Sequence, residues 1–217
     1  RLAPYLFETG ELQRAVTQKP FLGFSDTTID HFMLRKVGLP TFYGQAFLPD
    51  VCELDRTMLP YTRQYFEELL TTGRIRCIRP SDTVYESRKD FGESQLGTPL
   101  AAKKLGGFRL LQGGGQFSGE ILGGCIDSIF DMFDPSRYAD MPEICRKYGL
   151  FPAKEEWRGR ILLLESSEEQ MAPAKYKKAL EYLKDAGVFA AVSGVLVGRP
   201  MDGVWQAEYE QLLRQVI

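Results

Sequence analysis

The chain has 217 residues, 44% of them apolar and 26% charged, with 27 basic side chains against 29 acidic ones. A chain of this length buries about 70% of the surface its unfolded form exposes, and this composition excludes intrinsic disorder. The near-balance of charge excludes recruitment of nucleic acid or an anionic membrane by net charge, and no apolar run reaches the roughly 20 residues of a membrane span. A soluble globular protein is expected, of one domain or two small ones.

The predicted elements begin with helical composition over Gly10 to Gln18. The apolar run Phe21-Leu22-Gly23-Phe24 after Pro20 reads as a short buried strand. From Thr27 to Val37 the apolar residues Ile29, Phe32, Met33 and Val37 recur at helical spacing, and Gly38 and Pro40 end that helix. Thr41-Phe42-Tyr43 reads as the next strand and Tyr61 to Leu70 as a helix closed by Gly73. Strand and helix alternating over short links is the pattern of a parallel α/β sheet.

Residues Pro80 to Gly107 are polar and aperiodic, an interdomain linker or a long surface loop. Beyond them, strands are predicted over Phe108–Leu111, Ile161–Leu164 and Val195–Val197. One helix is predicted over Ala174 to Ala186, with Tyr176, Ala179, Leu180 and Leu183 on its buried face and Gly187 past its end. The expected division is an N-terminal α/β domain over 1–79, a linker over 80–107 and a β-rich domain over 108–217.

Four dispersed cysteines without a CxxC pair fit buried apolar side chains in a reducing compartment, so a cytoplasmic protein is expected. One histidine, His31, is too few for a zinc site, and the reading includes no metal and no cofactor. The opening without Met and the ending inside an apolar-periodic stretch read as a fragment of a longer protein.

Chemistry concentrates at Gly23-Phe24-Ser25-Asp26-Thr27-Thr28, where a strand gives way to a helix. A serine at such a corner is thrust out of the sheet, and the free amides of the helix N-terminus favour developing negative charge. Ser25 would be the nucleophile and the Asp26 amide an oxyanion donor; the competing reading is that Ser25 or Asp26 simply caps the helix. Glu165, directly after the strand Ile161-Leu162-Leu163-Leu164, stands where an orienting acid would be held rigidly, or is just the polar end of a strand. The glycine cluster 113–124 lacks the spacing of a phosphate loop or a dinucleotide fingerprint. The adjacent Cys125 is either a buried structural thiol or a nucleophile opening a helix. His31, six residues after Ser25, lies about 9 Å along the helix and does not suit the role of base.

Six segments together resemble the LD-carboxypeptidase family of serine peptidases, which includes murein tetrapeptide LD-carboxypeptidases and microcin C self-immunity proteins. They are Arg1-Leu2-Ala3-Pro4-Tyr5-Leu6, Pro20 to Thr28, Thr41-Phe42-Tyr43-Gly44, Gly119 to Cys125, Leu162-Leu163-Leu164-Glu165 with Glu168, and Gly194-Val195-Leu196-Val197-Gly198. The resemblance implies a Rossmann-like N-terminal α/β domain, incomplete here, and a smaller β-rich, swivelling-type domain. It implies Ser25 as nucleophile, the Asp26 amide in the oxyanion hole, Glu165 as the acid of a Ser-Glu-His triad, and Gly124 and Cys125 at the substrate. The family's histidine follows the helix that begins after Gly198, and a glycine giving the second oxyanion amide precedes the first segment. Both are expected outside these 217 residues, which alone should hydrolyse little.

The implied substrate is a muropeptide, as in peptidoglycan recycling, or a microcin C-like peptidyl or aminoacyl nucleotide; the wording around Cys125 and Glu165 leans to the latter. The implied partners are that small substrate, with no nucleic acid and no membrane, and the family is compatible with a homodimer. The alternatives are a non-catalytic binding or scaffold protein with an incomplete triad, and a cysteine hydrolase built on Cys125.

Overall fold

The computed structural model describes residues 2–17 and 19–217. Arg1 and Gln18, which the sequence reading places in the first family segment and the first helix, lie outside the described residues. Packing divides the chain into two compact units: the described residues of Arg1–Tyr43 with Leu111–Ile217, and Gly44–Leu110.

The larger unit opens with two short helices, α1 (Ala3–Glu8) and α2 (Glu11–Ala15). Two residues of strand, β1 (Leu22–Gly23), then pair in parallel with β2 (Phe42–Tyr43) across the intervening helix α3 (Thr28–Lys36). This helix buries Phe32 and Met33, two of the residues whose spacing predicts it.

In the second unit the helix α4 (Pro60–Thr72) ends on Gly73 in the left-handed conformation (φ 70°), as its sequence predicts. The polar stretch after it carries an antiparallel pair, β3 (Thr83–Tyr85) with β4 (Ala102–Lys104). Arg88 is buried there against the Glu53 carboxylate and donates to Thr98 O at 2.9 Å, so this aperiodic segment is held by polar contacts.

Where the chain passes from the second unit back to the larger one, the predicted strand Phe108–Leu111 does not form. Phe108 and Leu110 are exposed, and no ladder partner meets this run among the described residues. A parallel sheet follows instead: β5 (Glu120–Cys125), β6 (Arg160–Glu165) and β7 (Gly194–Val197), in the order β5-β6-β7. Its connections are α5 (Ile126–Asp131) and α6 (Met141–Tyr148) between β5 and β6, and α7 (Pro173–Asp185) between β6 and β7. The helix α7 buries Tyr176, Ala179, Leu180 and Leu183, the four residues its periodicity picks out.

After β7 the helix α8 (Gln206–Val216) stacks Tyr209 on Tyr176 of α7, with ring centroids 3.9 Å apart. Leu162, Leu164, Ile126 and Trp157 are fully enclosed in the core beneath the sheet. The architecture is mixed α/β, with small parallel and antiparallel sheets. Among the described residues no helix is long and apolar enough to cross a membrane.

Candidate active site

Ser25 stands at a sharp corner. β1 ends at Gly23, Phe24 is extended, and Ser25 turns into the left-handed region at φ 56° before a single 3-10 turn leads into α3. Left-handed backbone costs a residue with a Cβ about 1 kcal/mol or more, so the surroundings must hold it. They do so through the main chain. The Ser25 N–H donates to the Tyr43 hydroxyl at 2.9 Å, and the Ser25 carbonyl accepts from Thr28 Oγ1 at 2.6 Å and Ser128 Oγ at 3.2 Å. Neither Ser25 nor Asp26 caps the helix with its side chain. Among the described residues the Ser25 hydroxyl makes no hydrogen bond, and the Asp26 amide finds no acceptor.

Glu165 closes β6, opposite Cys125 at the end of β5 in the parallel register. The site therefore gathers at the carboxyl ends of two parallel ladders, β1-β2 and β5-β6-β7, where α/β folds place their ligands. Tyr43 joins the two: its hydroxyl donates to Glu165 Oε1 at 2.5 Å while accepting the Ser25 N–H. Burial raises the Glu165 carboxyl above its ordinary range; the Tyr43 hydrogen bond opposes that shift, and the negative charge of Asp127 adds to it. Burial, with the Glu165 charge second, pushes the Tyr43 phenol up as well, so it stays a donor.

Thr28 locks the corner to β5. Its fully buried hydroxyl accepts the Cys125 N–H at 3.0 Å and spends its one proton on the Ser25 carbonyl. Thr28→Val keeps the shape but leaves a buried N–H without an acceptor, a loss of about 1–3 kcal/mol. Urea unfolding should show it, with Thr28→Ser close to wild type; a wild-type midpoint for Thr28→Val would remove Thr28 from this role.

Gly124 and Cys125 lie against the same corner and are both buried. Gly124 has φ 146°, and a Cβ there would sit 2.7 Å from Thr28 Oγ1 and 2.8 Å from Tyr43 Cε2. The Cys125 thiol is fully enclosed, 3.6 Å from Asp127 Oδ2. Burial first, and then the Glu165 charge, pushes it up to about 12, so it supplies no thiolate nucleophile near neutral pH. Asp127 in turn accepts the Ser167 N–H at 3.0 Å, bracing the chain just past Glu165. Glu168 is exposed.

Both ring nitrogens of His31 are engaged, Nδ1 with Thr41 Oγ1 at 2.5 Å and Nε2 with the Gly23 carbonyl at 3.2 Å. Burial lowers its pKa, which suits a neutral packing residue. Among the described residues no group of three or more His, Cys, Asp or Glu is disposed to hold a metal ion.

Sequence reasoning passes over Tyr43, Thr28 and Asp127 as site residues. For Tyr43 a signal exists, since it is the last residue of a strand predicted parallel to the one that ends just before Ser25. The partners of Thr28 and Asp127 depend on pairings across 97 and 40 residues.

Residues 118–217 match the model of the LD-carboxypeptidase C-terminal domain. The whole chain superposes on an MccF-like protein from Streptococcus pneumoniae, solved in complex with AMP, with TM-score 0.98 and 56% identity; it spans 63% of that chain. An MccF-like protein from Bacillus anthracis str. Ames matches 91% of this chain and 54% of its own, at 20% identity and TM-score 0.67. The microcin C7 self immunity protein MccF, in complex with aspartyl sulfamoyl adenosine, matches at 19% identity and TM-score 0.65, over all of this chain and 61% of its own. The last two likenesses are of fold. Comparison with curated proteins returns no match.

Proposed function

The chain belongs to the LD-carboxypeptidase family, and from that premise we propose that the whole protein is a serine hydrolase cleaving an amide bond in an aminoacyl or peptidyl nucleotide. One observation carries the proposal. Ser25 is held in a left-handed corner by its main chain, its hydroxyl without a partner among the described residues, and is joined through Tyr43 to the half-buried acid Glu165.

In the proposed reaction Ser25 Oγ attacks the carbonyl carbon and loses its proton to a base, and the Asp26 N–H donates to the oxyanion. Collapse of the tetrahedral intermediate expels the amine, which takes the proton from the base. Water then hydrolyses the acyl-enzyme by the same steps and regenerates the Ser25 hydroxyl. Glu165 orients the base and stabilises its cation. The family resemblance implies a histidine as that base, and His31, committed to Thr41 and the Gly23 carbonyl, does not fill the role. Gly124 forms the wall beside this centre by its main chain, with Cys125 behind it.

The same reading extends to architecture, with an incomplete Rossmann-like N-terminal domain and a smaller swivelling-type one. The nucleotide substrate is favoured over a muropeptide because the relative at 56% identity was solved with AMP.

Turnover by the full-length protein distinguishes the two. An aminoacyl sulfamoyl adenosine should be hydrolysed and a muropeptide tetrapeptide left intact. The reverse result makes it a murein enzyme, binding without turnover makes it a non-catalytic binder, and inertness toward both overturns the assignment.

A further inference from the structure

The Tyr43 hydroxyl has one proton to give and gives it to Glu165, while its lone pairs receive the Ser25 N–H. Thr28 Oγ1 lies 3.4 Å from the same oxygen but is committed to the Ser25 carbonyl at 2.6 Å. Hence the phenol is a two-sided clamp between the main chain of the corner and one oxygen of a half-buried carboxylate. Its ring is held in turn by Gly124, where no Cβ fits, and by the His31 ring at 5.2 Å.

We propose that Tyr43 is a positioning residue: its hydroxyl fixes Glu165 through Oε1 and leaves Oε2 to face the catalytic base. The inference rests on the hydrolase reading for its catalytic consequence, though not for its effect on Glu165. The other titratable groups facing Glu165 are Cys125 at the end of β5, Asp127 on α5 and Glu168 on the following loop. None of them is a cation; a hydrogen bond from Cys125 also lowers the Glu165 pKa, but the Tyr43 phenol is the larger of the two influences opposing burial and like charge. A hydrogen bond to a charged acceptor in such surroundings moves a pKa by about one to two units.

Tyr43→Phe in the full-length protein removes the donor and keeps the ring. A triad acid works as the anion, so the acid limb of kcat/KM follows the Glu165 pKa. That limb should move to higher pH by about one to two units. Above the limb kcat should be about 10- to 100-fold lower, with KM nearly unchanged. Replacing Tyr43 by 3-fluorotyrosine makes the phenol a stronger donor without removing it, so the limb should move the opposite way, which also covers failure of the Phe variant to fold. Carboxyl ¹³C titration of Glu165, assigned by its loss in Glu165→Gln, reads the same two shifts without any substrate.

Titration of Glu165 unmoved in both Tyr43 variants overturns the proposal. If wild type and Ser25→Ala are equally inert, the hydrolase reading fails, and the carboxyl titration still decides whether Tyr43 governs Glu165.

Discussion

Ser25→Ala in the full-length protein is expected to lower kcat/KM on an aminoacyl sulfamoyl adenosine by about 10⁴-fold or more while leaving the fold intact. The four hydrogen bonds that hold residue 25 run through its N–H and carbonyl, to the Tyr43 and Ser128 hydroxyls and to both the hydroxyl and the N–H of Thr28, and none needs the Ser25 hydroxyl. Removing Oγ therefore removes a nucleophile and little else. Ser25→Gly sharpens the test. At φ 56° a Cβ is strained, so glycine should be as inert as alanine yet more stable by about 1 kcal/mol, measured as a higher denaturant midpoint. A stability gain with total loss of activity is the signature of strain kept for function. Wild-type turnover in Ser25→Ala would dismiss this serine as nucleophile. A Ser25→Gly protein less stable than Ser25→Ala would show that the left-handed turn is not strained.

The parts of this fold that could be read from sequence are those whose determinants are local. Ile29, Phe32 and Met33 are spaced within one helix, as are Tyr176, Ala179, Leu180 and Leu183, and each set faces inward in the structure or packs on the core. Gly73 ends α4 because a left-handed residue is needed there and glycine adopts it freely. What could not be read depends on partners distant in the chain. Phe108-Arg109-Leu110-Leu111 has strand composition but joins no strand ladder among the described residues, whereas the polar Thr83–Tyr85 and Ala102–Lys104 pair because a loop brings them together. The site divides the same way. Ser25 is visible because a strand-to-helix corner is a local event, and Glu165 because it ends an apolar run. Tyr43, the link between them, is 18 residues from one and 122 from the other.

Gly123→Ala should be the most damaging single methyl in the larger unit. Gly123 pairs with Leu163 at the centre of the β5–β6 ladder, at φ 139°, a conformation side chains rarely adopt. A Cβ there would lie 2.0 Å from the Leu163 carbonyl oxygen and 2.8 Å from its nitrogen. These are main-chain atoms of a paired strand and cannot turn aside as a side-chain end can. β6 is pinned between β5 and β7 with Leu162 and Leu164 fully buried, so β5 must yield, and the Cys125 N–H leaves Thr28 with it. The expected loss is about 4 kcal/mol or more, a fall in Tm on the order of 10 °C for a chain of this size.

Gly124→Ala is the informative neighbour. Its Cβ would press on Thr28 Oγ1 and Tyr43 Cε2, side-chain atoms that can move at smaller cost, about 1–3 kcal/mol with its backbone strain included. Those same atoms hold the corner of Ser25, so this variant should lose most of its turnover while still melting well above Gly123→Ala. Calorimetry and turnover on the pair would check both. Equal melting of the two variants would mean that β5 is not held against β6 in this register. A fully active Gly124→Ala would mean that the Ser25 corner does not depend on how Thr28 and Tyr43 pack.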